Sequence, residues 1–424
     1  MGKTIVIIST LDTKGAETQH LKEQIEKKGY LTKIIDVGTK GSATIKADIG
    51  RDELLAAGAG EKDVESLKSD RPRLIRAMSA GAAARVKELY SSGSLDGIIS
   101  IGGATGTLMG TNVMRVLPFG VPKLMVSSVA AARGLTSRYF GSSDIEIMHS
   151  VIDFTGMNDL MRNVLDRAAG AITGAVKGGG PCAEILKKKQ RGRLLVAMTQ
   201  MSMCEKCASY VREQLESEGF QVVGFSATGV ADKAMEELIE NDGLFDAVID
   251  LAPGGVAEEM LGGTRAAGPN RLEAAGKMGL PQVIAPSCVN LMTPPKSKYK
   301  PDYYNRKRYD LDELRTFLRC SPDELVKVAG VFAEKLNRAR GPVKFMVPLR
   351  GWSGIDDVGT VLYDPETDRI FVDELKKRLN GQIEIRVIDA NLEDPEFARA
   401  VIKAFKDVML MTRWPCETAT AKDM

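Results

Sequence analysis

Ile5, Val6, Ile7 and Ile8 stand in a row, four consecutive β-branched apolar residues. A strand with that pattern has no polar face to offer water, so it must be covered on both sides, as in a parallel sheet. A polar stretch from Ser9 to Gly15 follows. Glu17 to Lys28 then reads as a helix, with Leu21 and Ile25 at i, i+4 spacing and Gly29 as a stop. Leu31 to Val37 is a second strand, with Asp36 near its end. This is a βαβ unit, and the alternation continues. Leu74 to Ser91 is helical, Gly97 to Ile101 is a strand, a glycine loop runs from Gly102 to Gly106, and a helix reaches Val116. Lys123 to Ser127 is a strand and Asp153 to Val176 a helix, while residues 40–72 read as an excursion with short helices.

Residues 177–193, KGGGPCAEILKKKQRGR, break the periodicity with three glycines, a proline and a basic run. A domain junction belongs there, and the run from Lys187 to Arg193 reads as solvated. The alternation then restarts. Strands are predicted at Leu194–Met198, Gln221–Phe225, Ala247–Leu251, Gln282–Ala285, Lys344–Val347 and Ile383–Ile388, with helices at Ser209–Ser217 and Ala231–Glu240. The expected fold is α/β: two Rossmann-like parallel-sheet domains in tandem, residues 1–180 and 190–424, with a cleft between them.

With 58 basic and 56 acidic residues the net charge is +2, too even for a broad nucleic-acid footprint. Aromatics at 5% argue against stacking platforms, so nucleic acid is not an expected partner. The apolar runs fall short of a membrane span, and MGKTIVIIST enters a strand with no separate leader, so no membrane is expected either. Six cysteines in 424 residues are no disulfide framework, which places the chain in a reducing cytoplasm.

Chemistry concentrates at the strand ends, where open α/β sheets bind ligands. In IGGATGT a buried strand runs into Gly102 and Gly103 and then into a helix. Glycines permit close backbone approach, and a helix N-terminus offers unpaired N–H groups to an anion. Thr105 and Thr107 add hydroxyls beside Gly106, and Ser127 ends the neighbouring strand. The loop lacks the GKS or GKT ending of a Walker A sequence and the GxGxxG spacing. It is a phosphate cradle or a tight strand–helix turn. After the first strand come Asp12, Thr13 and Lys14. Lys14 can neutralise a phosphate and Asp12 can hold Mg²⁺, or Asp12 or Thr13 simply caps a helix. Asp36 stands where a ribose hydroxyl is held in Rossmann folds.

In the second half, Thr199, Thr228, Gly229, Asp250 and Gly254 lie at predicted strand ends and suit a small polar ligand. Cys204 and Cys207 form a solitary CxxC, read as two incidental cysteines because no further zinc ligands accompany it. His149 reads as packed rather than catalytic. With two histidines in all, acid–base work falls to carboxylates such as Asp12, Asp144, Asp153 or Asp250. Asp144 either faces the cleft or caps the following helix.

LDTKGAE (Leu11–Glu17), IDVGTKG (Ile35–Gly41), DGIISIGGATGT (Asp96–Thr107), VPKLMVSSVA (Val121–Ala130) and SDIEIMHSVIDFTGMN (Ser143–Asn158) resemble the Tm-one-like ATP-binding family. So do three stretches of the second half: Phe225–Ile239, Leu261–Val283 and Ala333–Ser353. The resemblance covers nearly the whole chain. It implies two Rossmann-like domains, ATP on the first and a homodimer, and it supplies no reaction. Ala104 and Thr105 replace a Ser and a Gly of the family's GGSGGT loop, Ala130–Ser137 departs from its Gly-Asp-Thr string, and Asn391 stands where it has a His. The expected function is a cytoplasmic ATP-binding protein that acts on or senses a small polar metabolite. The alternatives are an ATP-regulated interaction module and a small-molecule kinase.

Overall fold

The computed structural model describes residues 2–59, 67, 69–132, 139, 141–179, 192–313 and 315–412. The chain separates into two compact units, residues 1–185 and 186–424. Residues 187–191 of the basic run 187–193 and most of residues 130–137 lie outside the described residues.

Unit 1 carries β1 (Thr4–Ser9), α1 (Leu11–Glu26), β2 (Leu31–Asp36), α2 (Arg51–Ala59), α3 (Arg71–Ser91), β3 (Gly97–Gly102), α4 (Ala104–Met114), β4 (Lys123–Ser127), β5 (Glu146–His149) and α5 (Asp159–Gly178). Among the described residues its five strands are all parallel, in the order β2-β1-β3-β4-β5. The Ile5–Ile8 run explains the layering. Val6 and Ile8 pack with Met78, Ala82 and Val86 of α3 on one face, while Ile5 and Ile7 pack with Leu21 and Ile25 of α1 and Leu165 of α5 on the other. Alternate side chains of one strand thus fill two cores.

Three expectations change here. α1 begins at Leu11, not Glu17, so Asp12 and Thr13 occupy a first helical turn, and Lys14 marks a kink with φ −133° and ψ 26°. α5 begins at Asp159, because Asn158 is its cap and accepts from Met161 N. Glu146–His149 adds a parallel edge strand beside β4.

Unit 2 carries β6 (Leu195–Gln200), α6 (Glu205–Ser217), β7 (Gln221–Ser226), α7 (Ala231–Asp242), β8 (Ala247–Asp250), α8 (Gly255–Leu261), α9 (Ala274–Met278), β9 (Gln282–Ile284), β10 (Leu291–Met292), β11 (Arg308–Asp310), β12 (Thr316–Arg319), α10 (Pro322–Leu336), β13 (Val343–Pro348), α11 (Pro365–Arg378), β14 (Glu384–Ile388) and α12 (Pro395–Met411). Six strands form a parallel sheet in the order β14-β13-β9-β8-β6-β7. Read from β7, this is the order of unit 1 with one strand added. A small antiparallel sheet, β10-β12-β11, is inserted between β9 and β13 and had no counterpart in the predicted strands. Among the described residues no helix is long and apolar enough to cross a membrane.

Candidate functional site

In both sheets the strand order reverses beside the first strand. The connection after β1 runs outward to β2, and the next returns to β3 on the other side. This opens a crevice at the carboxyl ends of β1 and β3, the place where such sheets bind ligands.

On the β3 side Gly103 caps α4 with no side-chain hydrogen bond. The first intrahelical bond there runs from Thr107 N to Gly103 O at 2.8 Å. The N–H groups of the first turn therefore point out of the helix with its positive dipole end. The two leading glycines differ in kind. A Cβ on Gly102 would meet Gly106 Cα at 3.0 Å, so Gly102 and Gly106 let strand and helix pack closely. A Cβ on Gly103 would meet only Ser128 Oγ at 3.7 Å and Asp153 Oδ1 at 3.9 Å. The space above Gly103 is a polar cradle. Ser128 Oγ donates to Asp153 Oδ1 at 3.1 Å, and Phe154 N donates to the same oxygen at 2.9 Å.

On the β1 side, Lys14 approaches Phe154, the residue after Asp153. Lys14 Nζ lies 5.9 Å from the centre of the Phe154 ring, and 3.4 Å from Thr13 Oγ1. A cation over an aromatic face remains available to an anion in front of it. Lys14, Thr13, Gly103, Thr105, Ser128 and Asp153 are all at least partly accessible. Ser128 was missed in the sequence, where it reads only as one more small residue after a strand.

Asp12, Asp36, Thr107 and Ser127 have other partners. Asp12 Oδ2 accepts from Lys40 N at 2.7 Å and Gly41 N at 3.2 Å, which pins the loop after β2. Burial pushes the Asp12 carboxyl up, but these amides, Thr13 and the charge of Arg51 outweigh it and hold it below its ordinary value. Asp36 is buried, and its Oδ1 accepts from Leu11 N at 3.0 Å and Gly38 N at 2.8 Å. Desolvation holds its pKa above the usual carboxylate value. Thr107 and Ser127 are fully buried with their hydroxyls 2.7 Å apart. They lock α4 to the end of β4 behind the cradle.

Asp144 neither caps a helix nor stands at the carboxyl edge. It accepts from Gly120 N at 2.8 Å and from Lys123 Nζ at 2.7 Å, at the opposite ends of β4 and β5, because the buried Lys123 ammonium needs a counter-charge there. The His149 ring lies 3.2 Å from Ser127 O at the end of edge strand β5.

The matching crevice of unit 2 is closed. Thr199 and Asp250 are paired in register across β6 and β8, and Thr199 Oγ1 donates to Asp250 Oδ1 at 2.6 Å. Arg271 grips Asp250 through two nitrogens at 2.6 and 2.7 Å, and reaches Glu236 at 2.9 Å and Asp232 at 3.4 Å. All five side chains are buried. Gly229 lies against the Arg265–Ala266 backbone and Gly254 against Cys288 O. Of the five residues expected to meet a second ligand, Thr228 alone is exposed. Arg271, distant in sequence, carried no signal that it would reach Asp250.

The CxxC thiols are buried as well, and desolvation pushes both well above the ordinary thiol value. The N–H groups at the start of α6 are taken by Glu393, from Lys206 and Cys207. No thiolate is favoured there. Asn391 donates to the carbonyls of Arg350, Ser353 and Asp356 and so closes a loop.

Two doubly wound parallel-sheet units, one with an open polar crevice at its switch point, define an α/β protein of Rossmann-like type. The chain belongs to the Uncharacterised protein family (UPF0261), matching the N-terminal domain of that family over residues 3–181 and its C-terminal domain over residues 193–409. It is 37% identical to a UPF0261 protein of Clostridium tetani, over 96% of this chain and 100% of that one. A UPF0261 protein of Mesorhizobium japonicum is 33% identical over 96% and 99%. The ToMV resistance protein Tm-1 of Solanum lycopersicum is 30% identical over 99% of this chain and 58% of its own length.

Proposed function

We propose that unit 1 binds ATP, with the phosphates over Gly103 and the first turn of α4. One observation supports this reading: the uncapped N-terminus of α4 follows β3, and Lys14, which follows the neighbouring strand β1, lies 5.9 Å from the ring of Phe154 beside Asp153. Backbone N–H groups and a helix dipole favour an anion there. Thr105 and Ser128 supply hydroxyls at its rim.

Mg²⁺ would enter with the phosphates. Among the described residues no group of three or more His, Cys, Asp or Glu could hold a metal by itself, and Mg²⁺ commonly keeps several waters and takes one or two carboxylates plus phosphates. Asp12, held in its ionised form, and Asp153 are the carboxylates within this edge. The proposed role is ATP binding coupled to sensing or transforming a small polar metabolite. In unit 2 only Thr228, of the expected contacts, stands open to such a ligand. Calorimetry with ATP, ADP and adenosine tests the first step. Affinity should fall from ATP to adenosine, and equal affinity for all three would remove the phosphate cradle from the reading.

A further inference from the structure

Both histidines of the chain, His20 and His149, fall in unit 1. His20 is tied by its Nε2 to Asp166 at 2.8 Å, across α1 and α5. His149 is the last residue of β5 and is exposed, not packed as its apolar neighbours Ile147 and Met148 suggested. β5 ends the sheet order and pairs, among the described residues, with β4 alone. No further strand of the sheet covers the side chain at its end.

The ring is nevertheless held in one orientation. Its Nδ1 lies 3.2 Å from Ser127 O. A carbonyl oxygen only accepts, so in the neutral ring the hydrogen sits on Nδ1 and the lone pair on Nε2. Among the described residues Nε2 has no hydrogen-bond partner. The exposed nitrogen is therefore the one with electrons to give.

Position adds to orientation. Gly102, Ser127 and His149 stand in register across β3, β4 and β5. Neighbouring strands lie about 4.8 Å apart, so His149 is about 10 Å from Gly102 along the carboxyl edge. Thr107, at the end of the first turn of α4, meets the Ser127 hydroxyl at 2.7 Å. The first turn of α4 and the His149 ring thus both contact Ser127, one at its hydroxyl and the other at its carbonyl.

We propose that His149 accepts the terminal phosphoryl group of ATP on Nε2, forming a phosphohistidine. The proposal rests on the ATP reading of unit 1 and adds a chemical step to it. The Nε2 lone pair attacks the γ-phosphorus. The bond from that phosphorus to the β–γ bridging oxygen breaks, and ADP leaves with its electron pair. No base is required, because the attacking nitrogen carries no hydrogen. Histidine is one of the side chains that form covalent intermediates in this way. The ring gains positive charge on attack, and the Nδ1–H bond to Ser127 O strengthens as it does. The positive end of α4 favours the phosphates before transfer. The terminal phosphate then lies toward β4 and β5, with the rest of the nucleotide toward β1.

The test incubates the full chain with Mg²⁺ and ATP radiolabelled at the terminal phosphate, quenched in base over a time course. Label is expected on the protein, stable in base and lost in acid, as a phosphorus–nitrogen bond requires. Mass spectrometry should place it on the peptide that carries His149. ATP labelled at the α-phosphate should leave the protein unlabelled. His149→Asn should lose the label while calorimetry still shows ATP binding, and His20→Asn should keep it. Label that survives in His149→Asn would overturn the proposal. So would ATP that binds the wild type without labelling it, including the case in which inorganic phosphate is released and the chain stays unlabelled. Absence of ATP binding in calorimetry would remove the nucleotide reading itself along with this step, so the two failures are told apart.

Discussion

The carboxyl edges of the two parallel sheets start from the same strand order and end in opposite states. In unit 1 the edge beside β1 and β3 keeps Lys14, Thr13, Gly103, Ser128 and Asp153 accessible. In unit 2 the edge beside β6 and β8 is filled by Arg271 and three carboxylates, with Thr199 bridging the switch point. Topology makes the crevice in both cases, and the side chains decide whether it stays open. A buried arginine with several acidic partners is a structural device, whereas a partly exposed lysine over a buried aromatic ring still has charge to offer.

The largest effect should come from opening the closed edge. Arg271→Met leaves Asp250, Glu236 and Asp232 buried without their cation, and breaking a buried pair in this way costs about 3–5 kcal/mol. Urea denaturation should show that loss. A cost under about 1 kcal/mol would mean that Arg271 is not what closes unit 2. Arg271→Met combined with Asp250→Asn should recover part of the loss, since the pair is coupled.

A second contrast lies in the carboxylates. Asp12, in the open unit, is held below its ordinary pKa, so it contributes stability above pH 3.8 that is lost as pH falls through its lowered folded value. Asp368 behaves in the opposite sense. Burial in the first turn of α11, with Asp356 nearby, pushes it up to about 8 despite Arg319 and Asn290. The folded state then holds a proton that the unfolded chain has released. Its contribution is present below the ordinary carboxylate value and is lost as pH rises through about 8. Denaturant midpoints between pH 4 and pH 8 should fall less steeply in Asp368→Asn than in the wild type. Parallel profiles would show that Asp368 titrates normally.

The glycine pair sharpens the comparison within unit 1. Gly102→Val forces a side chain against Gly106 and should destabilise the fold by about 1–3 kcal/mol, as overpacking does. Gly103→Val has room in the fold but fills the cradle. It should keep the wild-type melting temperature and lose ATP affinity about tenfold or more. If both variants bind ATP normally, the open edge is not the nucleotide site.

The most localised effect is expected at Lys14. A hydrogen bond to a charged group contributes about 1.5–3 kcal/mol, so Lys14→Ala should weaken ATP about tenfold while adenosine affinity stays constant. Equal losses for both ligands would place Lys14 in the support of the kink instead.

Much of the fold was legible because buried parallel strands write themselves as apolar runs. Ile5–Ile8 and Ala247–Leu251 need no context to be recognised. Helix starts were less legible. Leu11 to Lys14 looks like a polar loop, yet Leu11 N finds Asp36 and Asp12 holds Lys40 and Gly41, contacts that make a helical turn affordable. The small antiparallel sheet was missed because β10 and β11 have two and three residues, too few to display a period.

The candidate site divides along the same line. Local sequence determined the strand–glycine–helix turn at Gly102–Gly106, because close approach there demands a missing Cβ whatever surrounds it. It also set Asp250 at a strand end and Lys14 shortly after one. Only the tertiary structure decided that Lys14 stays partly accessible while Asp250 meets Arg271, twenty-one residues further along the chain. Strand position is a short-range property of hydrophobic patterning, whereas the availability of a charge depends on which distant side chain the packing brings within hydrogen-bond reach.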